Sequence, residues 1–568
     1  MSKRWVFRDG AEDGASRLGA ELGISALLAR VLTGRRMTDS AGARAFMESS
    51  LSQCHPPLLL SGMKAGVERA MLALRERQKI VIYGDYDVDG VTSTALLMKL
   101  FKLLGATVSY FIPDRMKDGY GPNVAAFERL RAEGASLLIT VDCGINAVKE
   151  AEAAKKIGLD LIITDHHVPG PELPTAIAVI NPKTSPGYPY DMLGGVGVAY
   201  KFAQALLEAL AEPRKDEFLD HMLELVALGT VCDVAPLDGE NRALVSEGIK
   251  RLKQGRWMGL RSLCKAAGIE PAAVDSGQIG FALGPRLNAG GRVNDAALGV
   301  QLLLSKDPDE CRALAGRLNQ ENRRRQDIEK EVVAEAQLQA AERLAAGDRA
   351  LVLWREGWHP GVIGLAASRV QEKTGRPTIV ISVQDSLGKG SGRSRRPFHL
   401  VKALEEAKDL LLKFGGHEFA AGLTVDAKNL EALRERINAV ALREISDAQL
   451  LPELDLDCWC QLSEINAELM AQMTQLQPFG LKNPRPVFAA RGCVLLPGTR
   501  PVGADGSHLK VSLRQGVVSF SGIAFRQAES YKALNNNKPV DIAFSPDWNE
   551  YNGQRSLQLE IKDMVQSA

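Results

Sequence analysis

Three short apolar runs each lead directly into acidic or imidazole side chains: KIVIYG into Asp85, Asp87 and Asp89, LLITV into Asp142, and LDLIIT into Asp165, His166 and His167. Between them lie helix-patterned stretches, VTSTALLMKLFKLL, VAAFERLRAEG and NAVKEAEAAKKIG. Strand and helix in alternation predict βαβ units and a parallel sheet covered on both faces. In an open sheet of that kind the carboxyl ends of neighbouring strands lie side by side, so the side chains that follow them share one crevice. Oxygen-rich ligands with a little imidazole suit Mg2+ or Mn2+. Asp233, in ALGTVCDVAPL, brings a further carboxylate to the same rim. Carboxylates packed this closely repel one another unless cations lie between them. The expected outcome is a two-metal centre that hydrolyses a phosphoryl ester.

Taken one at a time, these pieces are ordinary. An Asp-rich turn after a strand is common loop chemistry, Asp142 could simply end a strand, and DHH could cap a loop. Their joint occurrence at successive strand ends is what points to a site. Together DYDVDG, VDCG, TDHH and CDVAPL resemble the four motifs of the DHH phosphoesterase superfamily. GSGRS at Gly390 to Ser394 and GGH at Gly415 to His417 resemble the signature of the DHHA1 substrate-binding domain that accompanies it, and GPRLNAGGR at Gly284 to Arg292 resembles the connecting segment. Order, spacing and length are similar, over nearly the whole chain, to the bacterial single-strand-specific DNA exonucleases of that superfamily.

The resemblance implies digestion from the 5′ end with release of mononucleotides, a role in recombination and repair, and work alongside single-strand-binding protein and a RecQ-type helicase. It implies Asp87, Asp89, Asp142, His166 and Asp233 as ligands of two Mg2+ or Mn2+ ions. Asp142, alone at the centre of the motif order, is the expected bridge. Asp85 and Asp165 are expected to hold waters or orient a ring, and His167 to contact the scissile phosphate or protonate the leaving oxygen. Arg115, Tyr120 and Asn123 follow the strand-like TVSYFI and lie near the same sheet edge. With Arg286, Arg292, Ser391, Arg393, Ser394, Gly416 and His417 they form the expected substrate-binding set.

The chain has 568 residues, more than one core usually holds. We expect a helical segment at 1–75, the catalytic α/β core at 76–240, a helical connector at 241–347, a second α/β domain at 348–446 and a barrel at 452–568. The connector ends in a long charged helix in which Ile328, Val332, Ala336 and Ala340 recur at helical spacing. It is expected to act as a spacer between two lobes, with Arg323, Arg324 and Arg325 on a solvated face. In the second α/β domain, ALVLW, TIVISV and LTVDA are expected strands, separated by glycine-rich turns. Five alternating strands in the last domain predict a Greek-key barrel of the OB type. Phe520, Phe525, Trp548 and Tyr551 are available there to stack on bases.

A formal net charge of +1 means that attraction to phosphate must be local. SGRSRRP, with Arg393, Arg395 and Arg396, is the best local source. The eight cysteines are scattered without a C-x-x-C pair and read as reduced thiols. MSKRWVFRDG has no apolar core of a signal peptide, and no stretch reaches membrane-span length. The expectation is a cytoplasmic monomer that does not engage a membrane. Two alternatives stay open: a DHH hydrolase of short oligonucleotides, cyclic dinucleotides or pyrophosphate, and a single-strand-binding scaffold that has lost the chemistry. The spacer and barrel argue against the first, the intact carboxylates against the second.

Overall fold

The computed structural model describes residues 3–10, 12–113, 121–293, 297–534, 538–551 and 553–567. The chain divides into two compact units, residues 44–323 with 475–485, and residues 1–43 with 324–474 and 486–568.

The first unit is built on five parallel strands, Lys79–Gly84 (β1), Val108–Phe111 (β2), Ala135–Val141 (β3), Asp160–Thr164 (β4) and Ala178–Ile180 (β5), in the order β2-β1-β3-β4-β5. Alternate residues face opposite sides. Ile80, Ile82, Leu137, Ile139 and Ile162 pack with Leu96, Phe101, Val196, Phe202 and Val226. Val81, Tyr83, Leu138, Leu161 and Ile163 pack with Phe127, Leu130, Ala151 and Ala154. Burial on both faces explains why the strands read as continuous apolar runs. Three helices carry the first face: Val88–Leu103 (α1), Gly195–Ala209 (α2) and Lys215–Cys232 (α3).

Residues 475–485, distant in sequence, complete this unit. The buried guanidinium of Arg242 donates to the carbonyls of Gln475 and Leu476 at 2.9 Å each. Ser276 Oγ donates to Phe479 O at 2.7 Å, and the Leu237 amide to Leu481 O at 2.8 Å. A buried charge needs such acceptors.

The long helix Pro308–Ala345 (α4) continues from the first unit into the second. Within the second unit, Val332, Ala336 and Ala340 are buried against Leu351, Leu353, Trp358 and Ile363, with Ile328 partly buried beside them. The sheet there runs Leu411–Gly416, Ala420–Asp426, Leu387–Arg393, Thr378–Gln384, Leu351–Glu356. GKGSGRS was expected to be a turn and is instead a strand within Leu387–Arg393. Its glycines face inward: a Cβ on Gly390 would lie 2.8 Å from Leu423 Cγ, and one on Gly392 2.7 Å from Leu400 Cδ2. Small residues under large neighbours hide the usual strand signature.

The OB-type barrel closes through five strands, Phe488–Leu495, Val540–Tyr551, Gln554–Gln566, Val518–Ala524 and His508–Gln515, the last pairing back to the first through Val494↔Arg514 and Leu495↔Leu513. Ahead of it, Glu453–Leu456 pairs in parallel with Arg4–Phe7. Among the described residues no helix is long and apolar enough to cross a membrane.

Candidate metal centre

The carboxyl ends of β1, β3 and β4 deliver the motif residues to one edge, as in other open parallel sheets. Asp85 and Asp87 follow β1, and Asp89 lies in the first turn of α1. Asp142 follows β3 with φ of 60°, a left-handed conformation that non-glycine residues adopt at a cost. Two hydroxyls lock this turn: Thr140 Oγ1 donates to Cys143 O at 2.8 Å and Thr164 Oγ1 to Thr140 O at 2.7 Å. Asp165, His166 and His167 follow β4, and Asp233 caps the C-terminus of α3.

Three sets of potential ligand atoms result, each mutually within 4.8 Å: Asp85, Asp87 and Asp142; Asp142, His166 and His167; and Asp89, His166 and Asp233. Asp142 and His166 belong to two sets each and join them. His166 Nε2 lies 3.1 Å from Asp142 Oδ1, 3.6 Å from Asp233 Oδ2 and 3.9 Å from Asp89 Oδ2. Both Asp142 Oδ1 and His166 Nε2 are buried and have no hydrogen-bond partner. Polar atoms left so in a protein interior are expensive, and a divalent cation satisfies both. The residues therefore fit two hard cations.

Titration behaviour points the same way. Burial, then the charge of Asp87, pushes Asp89 up to about 7. Burial, with Asp89 and Asp87, pushes Asp233 to about 8, and burial with four neighbouring aspartates holds Asp142 well above the usual carboxylate range. Burial and the charge of His167 push His166 down to about 3, so its ring stays neutral and keeps a lone pair for a metal. His167 is the opposite case. Burial opposes its charge, but Asp165 Oδ1, 2.8 Å from Nδ1, outweighs burial and raises it to about 9. Asp165 ends below its usual value: burial raises it, and the bonds and charge of His167 outweigh that. Its two oxygens also accept from the amides of Ile145, His166 and His167.

The sequence reading missed several supports. The amides of Gly195 and Val196, at the start of α2, donate to Asp89 Oδ2 and Oδ1 at 2.7 and 2.8 Å. This approach needs glycine, since a Cβ on Gly195 would lie 2.8 Å from Asp142 Oδ1 and 2.9 Å from Asp89 Oδ2. Asn288 Oδ1 accepts from the Val88 amide at 3.1 Å, fixing the segment between Asp87 and Asp89. Just past the short strand β5, Asn181 Nδ2 donates to His167 O at 3.0 Å and Lys183 Nζ to His166 O. The GGVG and VINPK stretches were the available signals.

The expected substrate residues are more dispersed. Asn123 caps helix Val124–Ala132, accepting from Ala126 N at 2.8 Å, and donates to Tyr83 OH at 3.3 Å. Arg286 donates to Asn319 Oδ1 at 3.0 Å and to Ala282 O at 2.7 Å. In the second unit, Ser391 and Arg393 share a strand face beside Gly364, at the start of helix Ile363–Thr374. Arg393 donates to Ser391 Oγ at 3.2 Å and Gly392 O at 2.7 Å. Register aligns Gly416 with Ala421 and Gly392, and exposed His417 follows in the turn. The buried Ser394 hydroxyl already donates to Phe398 O at 3.0 Å and Glu418 O at 3.2 Å. Arg115, Tyr120 and the side chain of Arg292 lie outside the described residues.

Comparison with known proteins gives three family matches: the DHH family N-terminal domain over residues 79–230, the DHHA1 domain over 347–442 and the RecJ OB domain over 456–563. The single-stranded-DNA-specific exonuclease RecJ of Bacillus subtilis is 38% identical over 568 residues, covering 99% of this chain and 71% of its own. That of Escherichia coli is 36% identical over 553 residues, 93% of this chain and 95% of its own. The crystal structure of Thermus thermophilus RecJ with Mn2+ superposes with a TM-score of 0.86 at 31% identity, over all of this chain and 80% of that one, and the structure with Mg2+ gives 0.80 at 30%, over all of this chain and 79% of that one.

Proposed function

The chain belongs to the RecJ family of single-stranded-DNA-specific exonucleases, and from that premise we propose how its own residues carry out metal-dependent 5′-to-3′ digestion. The observation that carries the reading is the pair of orphaned atoms, Asp142 Oδ1 and His166 Nε2, where two carboxylate clusters meet. Asp87, Asp89, Asp142, His166 and Asp233 would hold two Mg2+ or Mn2+ ions, Asp142 belonging to two of the three ligand sets. Bound there, the ions lower the pKa of an attacking water and neutralise charge on the phosphate and the leaving oxygen.

The protein does the rest. The α2 amides orient Asp89, and the threonine-locked turn holds Asp142. Asp85 lies outside the direct ligand set and positions water, while Asp165 orients the His167 ring. His167 carries a proton on Nε2 and gives it to the 3′ oxygen that leaves with the released 5′-mononucleotide.

Ser391 and Arg393, with Gly416 on the same sheet and His417 in the turn after it, bind phosphates of the strand, including the terminal one. Arg286 and Asn123 contribute contacts on the catalytic unit, and Arg115, Tyr120 and Arg292 follow the family pattern. Ser394 acts by bracing this strand, since its hydroxyl is already committed. On the barrel, Phe525 is 53% exposed, and the Arg555 guanidinium lies 4.3 Å from the Trp548 ring centroid, an arrangement that suits stacked bases. The family resemblance supports a cytoplasmic monomer working in recombination and repair beside single-strand-binding protein and a RecQ-type helicase.

The test is a Mn2+- or Mg2+-dependent nuclease assay on 5′-phosphorylated single strands, duplexes and dinucleotides. Mononucleotides from single strands alone are expected. Preference for dinucleotides favours a short-substrate phosphodiesterase, and inertness with either metal favours a scaffold.

A further inference from the structure

In the catalytic unit one aromatic side chain stands in solvent on a helical turn that packs against the residue preceding Asp233. Phe281 is 90% exposed, the highest value among the large hydrophobic residues described in that unit. It lies in a π-helical turn, Ile279–Leu283, inserted in the helical run 276–293. Such turns are rare and frequently mark functional sites. Ile279 and Leu283 are fully buried on one face, so the turn is anchored while Phe281 points away from the core.

The anchors reach the metal-centre segments themselves. Cys232 Sγ, one residue before Asp233, donates to Ile279 O at 3.8 Å, and a Cβ on Gly284 would lie 2.5 Å from the same sulfur. Further along this helix, Asn288 holds the Val88 amide between Asp87 and Asp89. Two more exposed apolar residues belong to the stretch that follows the Asp233 cap, one lying in it and one bonded to it. Val234 is 63% exposed, with φ of 58°, and Leu481, 51% exposed, accepts from the Leu237 amide at 2.8 Å. A β-branched residue held in that conformation is a genuine outlier.

We propose that Phe281 is a stacking platform for a nucleobase of the single strand held at the metal centre. This rests on the exonuclease reading above and extends it. An enzyme that must accept every base needs a grip that does not read hydrogen-bond patterns, and an aromatic face supplies it because every base has a π-face. Arg286, which donates to Ala282 O at 2.7 Å, sets a guanidinium beside the platform, so base and phosphate are gripped from one turn.

The experiment compares wild type, Phe281→Ala and Phe281→Trp in Mn2+, on ordinary single strands and on strands with an abasic run at the 5′ end. In a hydrolysis-resistant phosphorothioate strand, 2-aminopurine is moved stepwise from that end. Phe281→Ala should raise KM roughly 5- to 150-fold, the range expected for one stacked base, with little change in kcat. Phe281→Trp should restore KM. Wild type should lose affinity for the abasic strand while Phe281→Ala is indifferent, and 2-aminopurine quenching at one position should vanish in Phe281→Ala alone. Wild-type KM in Phe281→Ala, with an unchanged abasic penalty, overturns the platform. A wild type inert on all single strands overturns the exonuclease reading first and the platform with it. Equal melting temperatures verify that the exposed substitution leaves the fold alone.

Discussion

Gly195→Ala is the smallest change that should disable the metal centre without touching a ligand. The added methyl would lie 2.8 Å from Asp142 Oδ1 and 2.9 Å from Asp89 Oδ2. Ordinary contact distances require these oxygens to retreat by about half an ångström. Metal–ligand distances tolerate about 0.2 Å. The same displacement lengthens the 2.7 and 2.8 Å bonds from the Gly195 and Val196 amides to Asp89, each a charge-assisted bond of roughly 1.5 to 3 kcal/mol. Loss of such orienting bonds typically lowers metal affinity about 10- to 100-fold, and misplacement of reacting groups by about 1 Å lowers the rate about a hundredfold. Calorimetric titration with Mn2+ and single-turnover digestion of a 5′-labelled single strand read the two effects separately. In chelator the melting temperature should change little, because alanine favours the helix by up to about 1 kcal/mol and offsets the crowding. Wild-type Mn2+ affinity together with wild-type turnover would refute the view that the α2 terminus and the two carboxylates are held at contact distance.

Four further outcomes are expected. Asp142→Ala should lower turnover by roughly a thousandfold or more, through loss of the shared ligand. Its melting temperature in chelator should hold or rise, because a buried carboxylate crowded by like charges is gone; a folded variant with near-normal turnover would sink the two-metal assignment. Asp165→Asn removes the group that raises His167 to about 9, so the imidazolium is lost at lower pH and the alkaline limb of kcat should move downward; an unmoved limb argues against His167 as the proton donor. Arg393→Ala should weaken strand binding about 10- to 100-fold and abolish preference for a 5′-phosphate over a 5′-hydroxyl; a preserved preference shifts terminal recognition to Arg286 or Arg115. A chain ending at Arg485 keeps the residues that complete the catalytic unit, so it should retain Mn2+ binding but lose roughly 1 to 3 kcal/mol of long-strand affinity per stacked base; equal affinity for a long oligonucleotide rules out a binding role for the barrel.

The catalytic sheet was legible because burial on both faces forces continuous apolar runs, and because each run ends at its functional side chain. Asp85 to Asp89, Asp142, His166 and His167 could thus be brought to one sheet edge from topology, whereas Asp233 ends a helix and was added through its motif. Backbone partners were less visible: nothing in GGVG states that its amides will meet Asp89. Leu387–Arg393 read as a turn because its inward positions are glycines, chosen by the bulk of Leu423 and Leu400 rather than by chain reversal. Asn123 carried two readings in one residue type, since the carboxamide that could bind a phosphate also caps a helix. The π turn under Phe281 has no periodic signature of its own.

The clasp between Arg242 and residues 475–485 also sets a timetable. Arg242 precedes its partner Leu476 by 234 positions. At elongation rates of about 5 to 20 residues per second, that interval is roughly 10 to 50 s. Throughout it the motif aspartates and histidines have all been translated, yet of the carbonyls that accept from Arg242 only that of Phe46 exists, and those of Gln475 and Leu476 do not. A nascent chain on the ribosome therefore carries every candidate metal ligand for roughly 10 to 50 s inside an unfinished domain.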